Sequence, residues 1–303
     1  MPKGTFERTE SRVFLQLVVS GLAGGAVYSI VGLALVVIYK ATNVMNFAQG
    51  EMAMFSTFIT YVLITDAGLP YGVAVLLTLA ISAVAGVTLE RFIVRPAAST
   101  SLLTVAVLTM GMFYIINFFT LRVFPFGSIP RRFPSLFPRS TVSLGNAVVS
   151  IQKLGTFGAG LLLVLVLGAF YRYTKFGIAM RASADNKEAA SLMGVNLNRV
   201  ASVSWALAAM LGAIAGILVA PFLFLDVLFM KFTLIKSLCA AVMGGFTSLP
   251  GVVLGGLLVG LAENLFGGYV STDFKNSFVF SLILIVLFLR PQGLMRRARV
   301  IKV

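Results

Sequence analysis

Apolar residues in this chain form long solid runs separated by short polar connections, not alternating or amphipathic arrays. The runs lie at Val13–Tyr39, Val44–Thr65, Tyr71–Arg91, Leu102–Val123, Phe157–Tyr171, Val200–Leu225, Leu234–Met243, Val252–Phe266 and Phe278–Leu289. As a helix, about 18 or more such residues cross a hydrocarbon core of about 30 Å. The pattern predicts an all-α, polytopic transmembrane bundle with eight or nine membrane-embedded segments, occupying residues 1–303 as a single membrane domain. The seventh and eighth runs are short enough to be half-helices. A β-barrel does not fit, because its strands read as weak alternating segments of about ten residues. The first run exceeds the about 7–15 apolar residues of a signal peptide and is expected to stay as a span. Pro125, Pro130, Pro134 and Pro138 predict an extended loop from Phe124 to Val149.

The apolar pattern is interrupted twice. The first interruption is Asn43-Val44-Met45-Asn46-Phe47-Ala48-Gln49-Gly50-Glu51-Met52. In a helix, Asn46 would share a face with Gln49 and Gly50, three and four positions on. An ionisable side chain in a span is costly and usually faces a cavity or a partner, which makes Asn46, Gln49 and Glu51 candidates for a translocation path. The alternative is interfacial capping, with Asn43 or Asn46 as the cap and Glu51 favoured by the helix dipole. The second interruption, Met243-Gly244-Gly245-Phe246-Thr247-Ser248-Leu249-Pro250-Gly251, precedes Gly255, Gly256 and Gly260. Broken backbone at membrane depth is tolerated only inside protein or beside a water-filled cavity. Gly244, Gly245, Thr247 and Ser248 are therefore either a second path wall or a tight hairpin with glycine packing. Both interruptions lie at a Val-Met pair (Val44-Met45 and Val242-Met243), in opposite halves of the chain, a hint of an internal repeat.

Between two apolar runs the chain turns charged for one short stretch. Arg172 to Arg199 is polar and carries Glu188-Ala189-Ala190-Ser191-Leu192-Met193-Gly194. Its helix formers predict a helix over Arg181–Met193, closed by Gly194, with Ala189, Ala190 and Leu192 or Met193 offered to a partner's groove. Arg181, Asp185 and Glu188 would stand around them as orienting charges.

Composition narrows the class. Charged residues make up 11% and hydrophobic residues 59%, against about a quarter charged in a soluble domain. The net charge of +14 sits in loops and in an acid-free C-terminus (Arg290, Arg296, Arg297, Arg299, Lys302), as expected of cytoplasmic ends and not of a nucleic-acid binder. With island and C-terminus inside, Lys40, Arg91 and Arg95 are inside and Arg122, Arg131, Arg132, Arg139 and Lys153 outside; nine crossings then put the N-terminus outside. Cys239 is the only cysteine and histidine is absent, which argues against metal sites and membrane-embedded enzymes.

Four ordered motifs then carry a resemblance: Asn46-Phe47-Ala48-Gln49-Gly50-Glu51-Met52, the Arg181–Arg199 loop, Gly244–Gly256, and Arg290-Pro291-Gln292-Gly293-Leu294. Together they resemble the shorter permease type of the branched-chain (hydrophobic) amino acid ABC-importer family, and the likeness runs from about Val13 to Leu294. The usual Leu-Pro element after Gly194 is replaced by Val195-Asn196-Leu197-Asn198-Arg199. The resemblance implies a coupling loop at about 172–199 and a multi-pass protein of a bacterial inner membrane. It also implies a second related permease in a heterodimer, two cytosolic ATPases and an extracytoplasmic substrate-binding protein. Urea and short-amide importers share the pattern. The chain has no Gly-x-x-x-x-Gly-Lys-Ser/Thr loop, so ATP and Mg would be used by the partner ATPases and no cofactor is expected here. A rival of another class is an ion-coupled secondary transporter, for which Glu51, Glu90 and Glu263 are the available carboxylates.

Overall fold

The structure, a computed structural model, describes residues 3–97, 101–138, 140–144, 147–290, 293 and 295. Arg139, Pro291, Gln292, Leu294, Arg296, Arg297, Arg299 and Lys302 lie outside the described residues. In chain order the elements are α1 (Lys3–Thr42), α2 (Gln49–Thr65) and α3 (Tyr71–Leu89), which runs through a π-helical turn (Glu90–Val94) into α4 (Arg95–Ala97). Next come α5 (Leu102–Val123), a 3-10 turn (Pro125–Ser128), β1 (Thr141–Leu144), β2 (Ala147–Ser150) and α6 (Ile151–Tyr173). The chain continues with α7 (Lys175–Asp185), α8 (Lys187–Leu192), α9 (Leu197–Val219), α10 (Phe229–Gly244), α11 (Leu249–Tyr269) and α12 (Lys275–Leu289).

Each apolar run read from the sequence contains a helix. Among the described residues six helices are long and apolar enough to cross a membrane: Arg12–Thr42, Tyr71–Ala97, Leu103–Val123, Ile151–Tyr173, Leu197–Val219 and Leu249–Tyr269. The helices α2, α10 and α12 are shorter, at 17, 16 and 15 residues. The connection after Phe124 corrects the extended-loop expectation. It holds a 3-10 turn and an antiparallel hairpin, with Thr141 opposite Ser150 and Leu144 opposite Ala147. All four prolines precede the hairpin, so every strand residue keeps the N–H that pairing requires.

Two compact units interleave along the chain: 1–32 with 135–162 and 236–303, and 33–134 with 163–235. In the first, backbones of α1 and α11 cross with almost no space between them. A Cβ added to Gly21 would lie 2.9 Å from Gly260 O, and one on Gly25 2.8 Å from Gly256 O. Ser29 Oγ donates to Val253 O at 3.0 Å across the same crossing. Small residues at helix crossings are the usual route to close packing where lipid offers no hydrophobic drive. Tyr28, Cys239, Ala240, Met243, Val259 and Val279 form the buried core beside it.

The second unit is built on α2, α3 and α9. Trp205 is fully buried, and its carbonyl lies 2.6 Å from where a Cβ on Gly86 would stand. Hydroxyl pairs Ser82–Ser56 (2.8 Å) and Thr60–Thr78 (2.9 Å) join α2 to α3; such interhelical bonds contribute about 0.6 kcal/mol each in a membrane. The end of α3 meets the start of α9, and this end of the unit carries α7 and α8, which lead into α9.

Candidate translocation and coupling sites

The charged island forms three helices in sequence, each started by a polar cap. Thr174 Oγ1 accepts from Gly177 N (3.0 Å), Asn186 Oδ1 from Ala189 N (3.0 Å) and Asn196 Oδ1 from Arg199 N (3.1 Å). The predicted single helix over Arg181–Met193 is therefore corrected to two, α7 and α8, broken where Asn186 takes an extended conformation (φ −153°, ψ 111°). An asparagine side chain competes with the helical backbone for its own neighbours and favours a cap. Gly194 ends α8 with φ 83°, and Val195 N reaches back to Ala190 O at 3.0 Å. Nothing stands within 4 Å of a Cβ there, so conformation and not space calls for the glycine.

The side chains do not all face outward. Arg181, Asp185, Glu188 and Ala189 are exposed. Arg181 also donates to Arg172 O at 3.3 Å, which fixes α7 against the end of α6. Ala190 is buried at 4% exposure, which corrects its assignment to a partner's groove. Leu192 and Met193 are 89% and 85% exposed, an apolar pair standing in the open beside Gly194.

At the same end of this unit, Glu90 in the π-helical turn is 2% exposed and tied from several sides. Arg95 forks onto it with Nε (2.9 Å) and Nη2 (2.7 Å), Ser202 Oγ donates to it at 2.8 Å, and Arg95 Nη2 also reaches Asn198 O at 3.2 Å. A bidentate arginine–carboxylate pair fixes geometry as well as charge. The first turn of α9, directly after the island, is thereby fastened to α3.

The first interruption proves to be non-helical from Asn43, which has φ 62°, to Ala48, and α2 starts at Gln49. Asn46 lies outside the helix, so the shared helical face is corrected. Asn46 Oδ1 accepts from Ala48 N (3.1 Å), and its Nδ2 donates to Gln49 Oε1 (3.2 Å). Neither Asn43 nor Asn46 is the N-cap; that position is Ala48, with no side-chain cap. Gln49 packs against the middle of a long apolar helix and not against its end. Gln49 Nε2 donates to Ala208 O at 2.9 Å, and Ala208 is midway along the 23-residue α9, about 16 Å from either end. Thr109 Oγ1, fully buried on α5, accepts from Phe47 N (3.4 Å) and lies 3.2 Å from Met45 O, so protein groups serve the open backbone.

Glu51, in the first turn of α2, is 1% exposed, and among the described residues its one hydrogen bond comes from Asn117 Nδ2 at 3.4 Å. Asn117 is held in turn by Val227 O (3.2 Å). Among the described residues no lysine or arginine pairs with Glu51. Glu263 is the opposite case. Lys236 Nζ lies 2.7 Å and Lys275 Nζ 3.2 Å from it, and Tyr28 OH donates at 2.8 Å. Lys236, 6% exposed, is missed by reading the run as apolar; one lysine inside an apolar segment is the signal that finds it.

The second interruption is a hairpin stop. Gly245 takes φ 89°, Ser248 N bonds Gly245 O (3.0 Å), and Ser248 Oγ accepts from Gly251 N (3.1 Å) to cap α11. A Cβ on Gly244 would fall on the backbone of Gly251, and one on Gly293 would lie 2.6 Å from Gly245 N. Gly244, Gly245 and Ser248 thus serve packing and turn geometry, while Thr247 is exposed. These residues belong to the first unit and Asn46, Gln49 and Glu51 to the second.

Comparison with known proteins places this architecture. The profile described as branched-chain amino acid transport system / permease component matches residues 17–289. The chain is 30% identical to the high-affinity branched-chain amino acid transport system permease protein LivH of Escherichia coli K12, over 96% of this chain and 98% of the relative. It is 28% identical to the permease protein BraD of Pseudomonas aeruginosa over the same shares, 96% and 98%. The probable permease LivH of Methanocaldococcus jannaschii is 29% identical over 90% and 91%. Among solved structures, PsaBC from Streptococcus pneumoniae in complex with Fab matches with a TM-score of 0.51, covering 92% of each chain at 15% identity, which speaks for the fold alone. A polytopic helical chain matched from end to end in this way belongs to the family of branched-chain amino acid transport system permease components.

Proposed function

We propose that this chain forms half of the translocation pathway of an ATP-driven importer for branched-chain or other hydrophobic amino acids. In this reading it pairs with a second, related permease. Two cytosolic ATPases hydrolyse MgATP below it, and an extracytoplasmic binding protein delivers substrate. The observation that carries the reading is the element formed by α7 and α8, with Leu192 and Met193 extended into solvent beside the glycine stop. Two bare apolar side chains on a short, capped, charged helix suit a hydrophobic groove on a soluble partner. Movement of α8 would pass to the spans through the Arg95–Glu90–Ser202 fastening between α3 and α9. Asn46, Gln49 and Glu51 then line or brace the path at mid-depth.

The ion-coupled alternative draws on three carboxylates, of which Glu90 and Glu263 are already engaged by Arg95, Lys236 and Lys275. The test is reconstitution with the candidate partner permease, ATPases and binding protein. Uptake should require ATP and survive collapse of proton and sodium gradients, with leucine, isoleucine or valine carried in preference to urea or short amides. Gly194→Val should leave ATP hydrolysis running while uptake is lost, because a β-branched residue strains a φ of 83° by about 1–3 kcal/mol. Gradient-driven uptake without ATP, or wild-type uptake by Gly194→Val at normal membrane levels, sinks this reading.

A further inference from the structure

Among the described residues three carboxylates lie buried, and the structure treats them unequally. Glu90 has a bidentate arginine and a serine hydroxyl; Glu263 has two lysines and a tyrosine. Glu51, equally buried at 1% exposure, has one amide contact at 3.4 Å. The described cation that acts on it, Lys231, is exposed and outside ion-pair distance. The α2 dipole supplies at most about half a positive charge. A buried carboxylate left charged in that state is costly, so a proton or a cation from outside the described residues must complete the site.

Its position says where that partner comes from. Asn117 is sixteenth of the 22 residues of α5, so the carboxylate sits about 9 Å inside the C-terminal end of that helix. It follows closely on the non-helical stretch Asn43–Ala48, where Ala48 N donates to Asn46 and Phe47 N to Thr109. Asn117 is itself fixed by Val227 O, which aims its amide at Glu51. A preset carboxylate short of hydrogen-bond donors is the complement of a primary ammonium group, which brings three donors and one positive charge.

We infer that Glu51 is the counter-ion of the transported substrate's ammonium group, so that the pathway selects for a cationic amine end and not merely for an apolar side chain. The inference rests on the amino-acid importer reading and deepens it. The competing partner is a proton, which would make Glu51 a neutral structural residue.

Glu51→Gln separates the two, because glutamine keeps the shape of a protonated carboxylate and loses the charge. In proteoliposomes holding the full complex, leucine uptake by Glu51→Gln should fall roughly tenfold or more, the loss of one charge-assisted contact. Glu51→Asp should retain part of the rate, and both should keep ATPase partners on purification. Uptake by Glu51→Gln at the wild-type rate overturns the inference in favour of the proton. A second measurement does not depend on transport: thermal shift of the purified complex with millimolar leucine, 3-methylbutylamine or 4-methylpentanoate. Leucine and the amine should stabilise the wild type and not Glu51→Gln, while the acid should do nothing. Equal shifts from the acid, or none from leucine and the amine, also overturn it. A wild-type complex that never imports leucine with ATP and binding protein fails the importer reading instead, so the two failures are distinguishable.

Discussion

The two interruptions of the apolar pattern look alike in sequence and are built by opposite means. At Gly244–Gly251 the chain turns by removing side chains: backbone rests on backbone, Gly245 takes the left-handed turn, and Ser248 supplies a single cap. At Asn43–Ala48 the chain opens by adding polar side chains. Asn46 and Thr109 take over backbone groups that no helix satisfies, and Gln49 ties the start of α2 to Ala208, halfway along α9. A break made of glycine has no chemistry to offer a passing molecule. A break made of amides, with a carboxylate beside it, does.

Substitutions can sharpen this contrast. The largest effect should come from Gly244→Val, which drives a branched side chain into the backbone of Gly251 and Val252. Overpacking of this kind costs about 1–3 kcal/mol or more, and detergent-stable protein should largely disappear. Normal yield with lost uptake would instead make the glycine hairpin a pathway wall. Next, Thr109→Val keeps the volume but strips the hydroxyl from Phe47 N and Met45 O. We expect about 1–2 kcal/mol of destabilisation, read as a lower melting temperature, together with reduced uptake per folded complex. Unchanged uptake would show that the opened backbone is mere scaffolding. Smallest is Ser248→Ala, which removes the α11 cap for about 1 kcal/mol; melting should fall slightly with transport per complex intact.

Much of the fold could be read before any coordinates. Long apolar runs admit few structures in lipid, so each run located its helix, and Gly194 was legible as a stop because a positive φ leaves few alternatives. Legibility failed where a local preference competed with a pattern. Asn186 splits the helix expected over Arg181–Met193 because its side chain caps better than it propagates. The start of α2 drifted from Val44 to Gln49 because apolarity marks membrane depth, not hydrogen bonding. The burial of Ala190 and the Lys236–Glu263 pair depend on packing between distant segments, which a linear reading cannot supply.

Glu263 also bears on how the protein is made. Tyr28 on α1 and its partner Glu263 on α11 are 235 residues apart. At ribosomal rates of about 5–20 residues per second, α1 waits about 10–50 s in the bilayer before Glu263 has been synthesised. During that interval its glycine face has no α11 to close upon, and the tyrosine hydroxyl has no carboxylate. A helix made well before α11 is thus finished only once α11 exists. A ribosome stalled before α11 should leave behind a chain whose longest helix is inserted but unclasped, the form most open to membrane proteases.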